Sequence, residues 1–319
     1  MANAQAAARQ SGADGSVGAM LRILKGALAA GASDVHLRAE RAPIVRLEGE
    51  LRPLDHPALP ARFVTRVRDA LAEYAMLPPA RLERSQGDFA CDVPDVGRFR
   101  VHHYRQGGGP ALVLRTVPAP IPDFGQLRVP PVVKRLVGLE RGLVLVTGAT
   151  GNGKSTTIAS LLDRVNRERA KHIVTIEEPV EFLFAEERST FSQREIGRDV
   201  DDAEAGLRGA LREDPDWIFV GEVRTRDEME IALGAAEAGH VVVSTLHSQD
   251  SARTIQRILH FYDEARRDAI RERLADALAA VVSQRLVPRR GARERVLVTE
   301  ILMRSPTVQD CIRDESRAR

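Results

Sequence analysis

The sequence predicts an α/β protein in which a small α+β unit precedes a domain built on a wound, mainly parallel sheet. Three observations carry this. Four nearly continuous apolar runs, GLVLVTG (142–148), HIVTIEE (172–178), DWIFVGE (216–222) and HVVVSTLH (240–247), have β-rich cores, the pattern of strands covered on both faces. Stretches of helical periodicity lie between or after them, STTIASLLDRVNRER, DAEAGLRGALRED and RDEMEIALGAAEAG. Alternating strand and helix winds a parallel sheet. Before residue 118 the chain shows short strand-like stretches beside helices instead.

Taken in order, residues 1–16, MANAQAAARQSGADGS, are small and polar and read as a mobile tail. The first domain spans 17–118. It opens on a helix carrying Val17, Met20, Leu21, Leu24 and Leu28 on one face; Arg22 and Lys25 interrupt the run, so it is not a signal-peptide core. SDVHLR, PIVRLEGELRPL, DFACDV, GRFRVHHYR and PALVLRTVP read as strands, and PARFVTRVRDALAEYAM as a helix. Residues 119–131 form a linker, since PAPIPDFGQLRVPP (118–131) holds five prolines. The second domain, 132–319, carries the four buried strands, and its ARRDAIRERLADALAAVVSQRLV segment reads as mostly helix.

Composition narrows the function classes. Of 319 residues, 43% are hydrophobic and 29% charged, so a folded core is expected. A net charge of +2 from 47 basic and 45 acidic residues gives no general reason for a nucleic-acid or anionic-lipid partner. Cys91 and Cys311 are far apart, which suggests neither a disulfide framework nor a zinc cluster. No apolar run approaches the roughly 18 residues of a membrane span. The protein is read as cytoplasmic.

Ligands of an open parallel sheet bind outside the carboxyl ends of its strands. There the first run ends in GATGNGKSTT, which fits G-x-x-x-x-G-K-[ST]. Gly148, Thr150, Gly151, Asn152, Gly153, Lys154, Ser155 and Thr156 are the expected nucleotide-binding residues. Glycines let backbone N–H groups turn inward as an anion nest. Lys154 is one of the few lysines in an arginine-dominated chain; its ammonium would reach the β- and γ-phosphates while the Ser155 hydroxyl ligates Mg²⁺. Glu222 closes an apolar strand and is expected to hold or orient a Mg²⁺-bound water. Glu177 either orients the attacking water or pairs with a neighbouring arginine, with Glu178 and Glu181 beside it. His247 shares a strand face with Thr245 and suits a γ-phosphate sensor. His240 is either a second sensor or a hydrogen-bonded packing histidine. Trp217 reads as core.

In this order GATGNGKSTT, TIEEPVEF, SQREIGRD, ALREDPDWIFVGEVR and AAEAGHVVVSTLHSQDSA resemble the motifs of the type II/type IV secretion and pilus ATPases, most closely the PilT-like twitching-motility branch. The resemblance runs from about residue 17 to 310. It implies a PAS-like N-terminal domain before a RecA-like motor, a homohexameric ring and Mg²⁺-dependent ATP hydrolysis. It also implies an active site between the two domains, reached by Arg100 and Arg115, with Arg98 and Arg105 matching less closely. An inner-membrane platform protein of a pilus or secretion machine is the implied partner, with membrane contact through partners only and no nucleic acid. A conjugation-like or type IVB secretion motor, or a nucleotide-gated assembly factor with little turnover, are the alternative readings. Ala149 and Asn152 stand where the family usually has Pro and Ser. The tail SPTVQDCIRDESRAR resembles the retraction segment only loosely, and the tetracysteine element of assembly ATPases is missing.

Overall fold

The computed structural model describes residues 15–291, 295–314 and 316. Residues 1–14 of the expected tail lie outside the described residues, and Gly15 and Ser16 already belong to the first helix. The chain divides into two compact units, Met1–Pro120 and Ile121–Arg319.

The first unit runs α1 (Gly15–Ala29), β1 (Asp34–Arg38), β2 (Ile44–Leu47), β3 (Glu50–Pro53), α2 (Ala61–Tyr74), α3 (Pro79–Leu82), β4 (Gly87–Val93), β5 (Gly97–Gln106) and β6 (Gly109–Thr116). Its six strands form an antiparallel sheet in the order β3-β2-β1-β6-β5-β4. PIVRLEGELRPL is a hairpin rather than one strand. Glu48 and Gly49 take φ of 52° and 89°, the left-handed pair a tight hairpin turn requires. Alternation decides what each face does. Val35, Leu37, Phe99, Val101, Leu112 and Leu114 pack in one core with Met20 and Leu24 of α1 and Val64, Val67 and Leu71 of α2. The residues between them, including Asp34, Arg100, His102 and Arg115, stand on the other face.

The second unit begins with a 3₁₀ segment, Pro131–Gly138. It continues through β7 (Gly142–Thr147), α4 (Lys154–Glu168), β8 (His172–Glu177), β9 (Thr190–Glu195), α5 (Ala203–Ala210), β10 (Trp217–Val220), α6 (Arg226–Ala238), β11 (Val241–Leu246), α7 (Ser251–Leu259), α8 (Glu264–Ala277), β12 (Leu278–Pro288), β13 (Arg295–Met303) and α9 (Pro306–Arg313). The sheet order is β13-β12-β7-β11-β10-β8-β9. Every pair is parallel except β12 with β13. Leu143, Leu145, Val242 and Leu246 enter one apolar cluster, and Val144, Val146, Val241 and Val243 the other. Cover on both faces is why these strands read as unbroken apolar runs.

One element differs from the sequence reading. The ADALAAVVSQRLV segment is helical only to Ala277; Leu278 to Pro288 is a strand. Its alanines favour helix and no glycine or proline marks a break, so pairing along β7 overrides local propensity here. With that segment read as helix, β13, which pairs along it, had no place in the sheet. β9 is a half-exposed, polar edge strand and lacks the apolar run that marks the inner ones.

Candidate active site

Four adjacent strands, β7-β11-β10-β8, deliver the site residues to one sheet edge. The register sets Thr147 beside Leu246, Ser244 beside Val220 and Val220 beside Ile176. The phosphate loop leaves β7, His247 follows β11, Glu222 follows β10 by two residues, and Glu177 ends β8. Neighbouring strands lie ~4.8 Å apart, so these groups line one rim.

The loop is shaped by its glycines and braced by β12. Gly148 has φ 137°, and a Cβ there would lie 2.4 Å from the Gln284 carbonyl oxygen, so no other residue fits. Gly151 and Gly153 are left-handed, at 81° and 79°. Gly153 immediately precedes α4, whose N-terminus has no side-chain cap; its first N–H groups are therefore available to an anion. Thr150 and Ser155 are exposed and Thr156 partly so. β12 is fastened to this region three times. Thr147 Oγ1 and Ser283 Oγ share a hydrogen bond of 2.8 Å, Gln284 Nε2 donates to Thr157 Oγ1 at 2.7 Å, and Leu286 N donates to Asn152 Oδ1 at 3.2 Å.

Lys154 Nζ donates to the carbonyls of Gly148 and Ala149 at 2.8 and 3.1 Å. Burial holds its pKa below the ordinary lysine value, against the attraction of Glu222 and Glu181. The loop cation therefore faces the acids across the rim.

Glu177 is buried, and burial pushes its carboxyl up to about 7. Thr175 Oγ1 donates to Glu177 Oε1 at 2.7 Å and opposes that rise. No ion pair joins Glu177 to an arginine among the described residues. Glu222 is engaged on both oxygens: Oε1 lies 3.1 Å from His247 Nε2, and Oε2 accepts from Arg224 Nε at 2.9 Å. Arg224 Nη1 also donates to Glu178 Oε2 at 3.0 Å.

The structure does not bring His240 to this rim. It precedes β11, at the opposite end of the strand from His247, and its Nδ1 donates to the Pro215 carbonyl at 2.7 Å. Six residues of strand separate the two histidines, ~20 Å at strand rise. Arg100 and Arg115 belong to the first unit and are cross-strand partners on β5 and β6. Arg115 Nε donates to Asp34 Oδ1 at 3.0 Å, and Arg100 Nη2 lies 3.8 Å from Asp88 Oδ1.

Sequence reasoning missed Thr175, Arg224 and Gln284. Thr175 was within reach, because it stands two residues before Glu177 on one strand and so shares its face. Gln284 was hidden by the helical reading of β12. Arg224 ends the ALREDPDWIFVGEVR motif, but only the fold shows that it bonds both Glu178 and Glu222.

A phosphate loop at the carboxyl edge of a wound, mainly parallel sheet defines a P-loop nucleotide-binding protein. The model of the family described as type II/IV secretion system protein matches residues 13–319. The type IV pilus retractation ATPase PilT of Pseudomonas aeruginosa is 40% identical over 291 residues, covering 90% of this chain and 83% of its own. A crystal structure of the pilus retraction motor PilT with bound ADP superposes with a TM-score of 0.85 at 41% identity, covering 93% of this chain and 87% of that one. The Legionella pneumophila ATPase DotB gives a TM-score of 0.81 at 26% identity, covering 94% and 86%. The chain belongs to the type II/IV secretion system protein family.

Proposed function

We propose that this protein is a ring-forming ATPase that powers a type IV pilus or a related secretion machine. One observation supports it above the rest: a complete phosphate loop shares a sheet edge with Glu177, Glu222 and His247. The similarity to pilus motors supports the choice of machine.

Lys154 and the loop N–H groups bind the β- and γ-phosphates. The Glu177 carboxylate orients the attacking water and accepts its proton as the water oxygen bonds to the γ-phosphorus and the β–γ bridging bond breaks. A base with a pKa near neutrality suits that task. His247 senses the γ-phosphate, and Arg100 and Arg115 supply positive charge to the phosphates. The oxygen donors of Ser155 and Glu222 fit Mg²⁺, a hard cation bound through oxygen; they would hold it, Glu222 through water, and it would supply positive charge against the phosphates.

The protein acts as a homohexamer on the cytoplasmic side of the inner membrane, docked on a platform protein. Among the described residues no helix is long and apolar enough to cross a membrane. A conjugation-like or type IVB secretion motor stays the second reading, because the matching family is described as type II/IV secretion system protein. Phosphate release by size-fractionated protein tests the ring: hexamer fractions turn over ATP and monomer does not. Equal specific activity in both overturns the assembly requirement.

A further inference from the structure

Two acids converge on one exposed guanidinium in the second unit, a guanidinium with no role in the proposed nucleotide chemistry. Arg224 Nε holds Glu222 Oε2 at 2.9 Å, and Nη1 holds Glu178 Oε2 at 3.0 Å. Behind it, Glu228 Oε2 accepts from the backbone N–H groups of Arg224 and Thr225 at 2.6 and 3.1 Å. Thr225 Oγ1 accepts in turn from Glu228 N, completing the capping box of α6.

The energetics say what this is not for. The Arg224 side chain is 60% exposed and that of Glu178 45%, and ion pairs so exposed add little to stability. The geometry says what it is for. Nε and Nη1 are fixed relative to each other in a rigid planar fork, so one side chain links the carboxylates that follow β10 and β8. Its own backbone is pinned by the helix cap. An ionised carboxylate offers about four lone-pair sites. Arg224 takes one on Oε2 and His247 one on Oε1, which leaves a lone pair on each Glu222 oxygen directed by these two partners.

We propose that Arg224 is a positioning residue for the hydrolytic step. It fixes the rotation of the Glu222 carboxylate and ties it to Glu178, so that the acid of β10 and the acidic turn after β8 are presented together. The proposal rests on the ATPase reading and adds a residue to it.

The test is a double-mutant cycle. Arg224→Gln should lower kcat by about 10–100-fold, the usual cost of removing a group that orients a functional side chain. Affinity for a fluorescent ADP analogue should stay within a few fold. In the Glu222→Gln background the same change should have no further effect, because its target is already altered. An equal loss of kcat in both backgrounds overturns the role, as does a wild-type kcat in Arg224→Gln. Failure of the wild-type chain to release phosphate counts against the ATPase reading itself. A crystal structure of Arg224→Gln decides the positioning without turnover: displaced Glu222 and Glu178 carboxylates support it, and unmoved ones overturn it.

Discussion

Asn152 Oδ1 accepts a hydrogen bond from Leu286 N at 3.2 Å, joining the phosphate loop to β12. The residue that departs from the family pattern at this loop position is therefore a structural tie. Asn152→Ala removes the acceptor and leaves a backbone donor unpaired, a change that costs ~1–3 kcal/mol where the donor is buried. Leu286 is only partly buried, so the low end of that range applies. The expected result is weaker ADP binding by about 5–10-fold, the equivalent of ~1–1.4 kcal/mol, with kcat little changed, read by titration and steady-state kinetics.

Gly148 and Gly151 both have left-handed φ but differ in surroundings. A Cβ at Gly148 meets the Gln284 carbonyl, whereas one at Gly151 meets nothing within 4 Å. Gly151→Ala should lose ~1–2 kcal/mol through backbone strain alone and keep nucleotide binding. Gly148→Ala should abolish binding, because β12 and the loop cannot both hold their places. Thermal melts with and without ADP separate the two.

Glu177 supplies a pH signature. Its folded pKa, about 7, lies above the ordinary 4.5. Folding therefore favours the protonated acid, and stability falls as pH rises from 4.5 through 7. Glu177→Gln should melt above the wild-type protein at pH 8 and close to it at pH 4.5. Catalysis needs the carboxylate, so wild-type kcat should drop as pH falls below about 7, a limb missing from the residual rate of Glu177→Gln. Identical melting of the two proteins at pH 8 would contradict the buried carboxyl.

Arg100 and Arg115 face each other across β5 and β6, and like charges directly opposite destabilise a sheet. Asp34 and Asp88 offset part of this. Arg115→Gln should change the melting temperature little and lower kcat by up to about 10³-fold. A large loss of stability with unchanged kcat would make the pair structural.

The buried β7, β8, β10 and β11 were legible because cover on both faces writes itself as apolar runs, and their rim residues followed from the carboxyl-edge rule. β12 was not legible, since LADALAAVV satisfies helix and strand alike until β7 chooses between them. With it went the brace behind the loop, including Gln284. Of the two readings of His240, the fold favours the hydrogen-bonded packing histidine: it brackets the same strand as His247, but the two ends of a strand lie on opposite sheet edges. Arg224 was invisible because its two acids stand 46 and 2 residues away in the chain and meet it only in the fold.

Steady-state phosphate release by the wild-type protein, Lys154→Ala and Glu222→Gln tests the central claim most directly. The site described here predicts sustained turnover by the wild-type chain, no nucleotide binding by Lys154→Ala, and binding with poor hydrolysis by Glu222→Gln. Equal phosphate release by all three would contradict it.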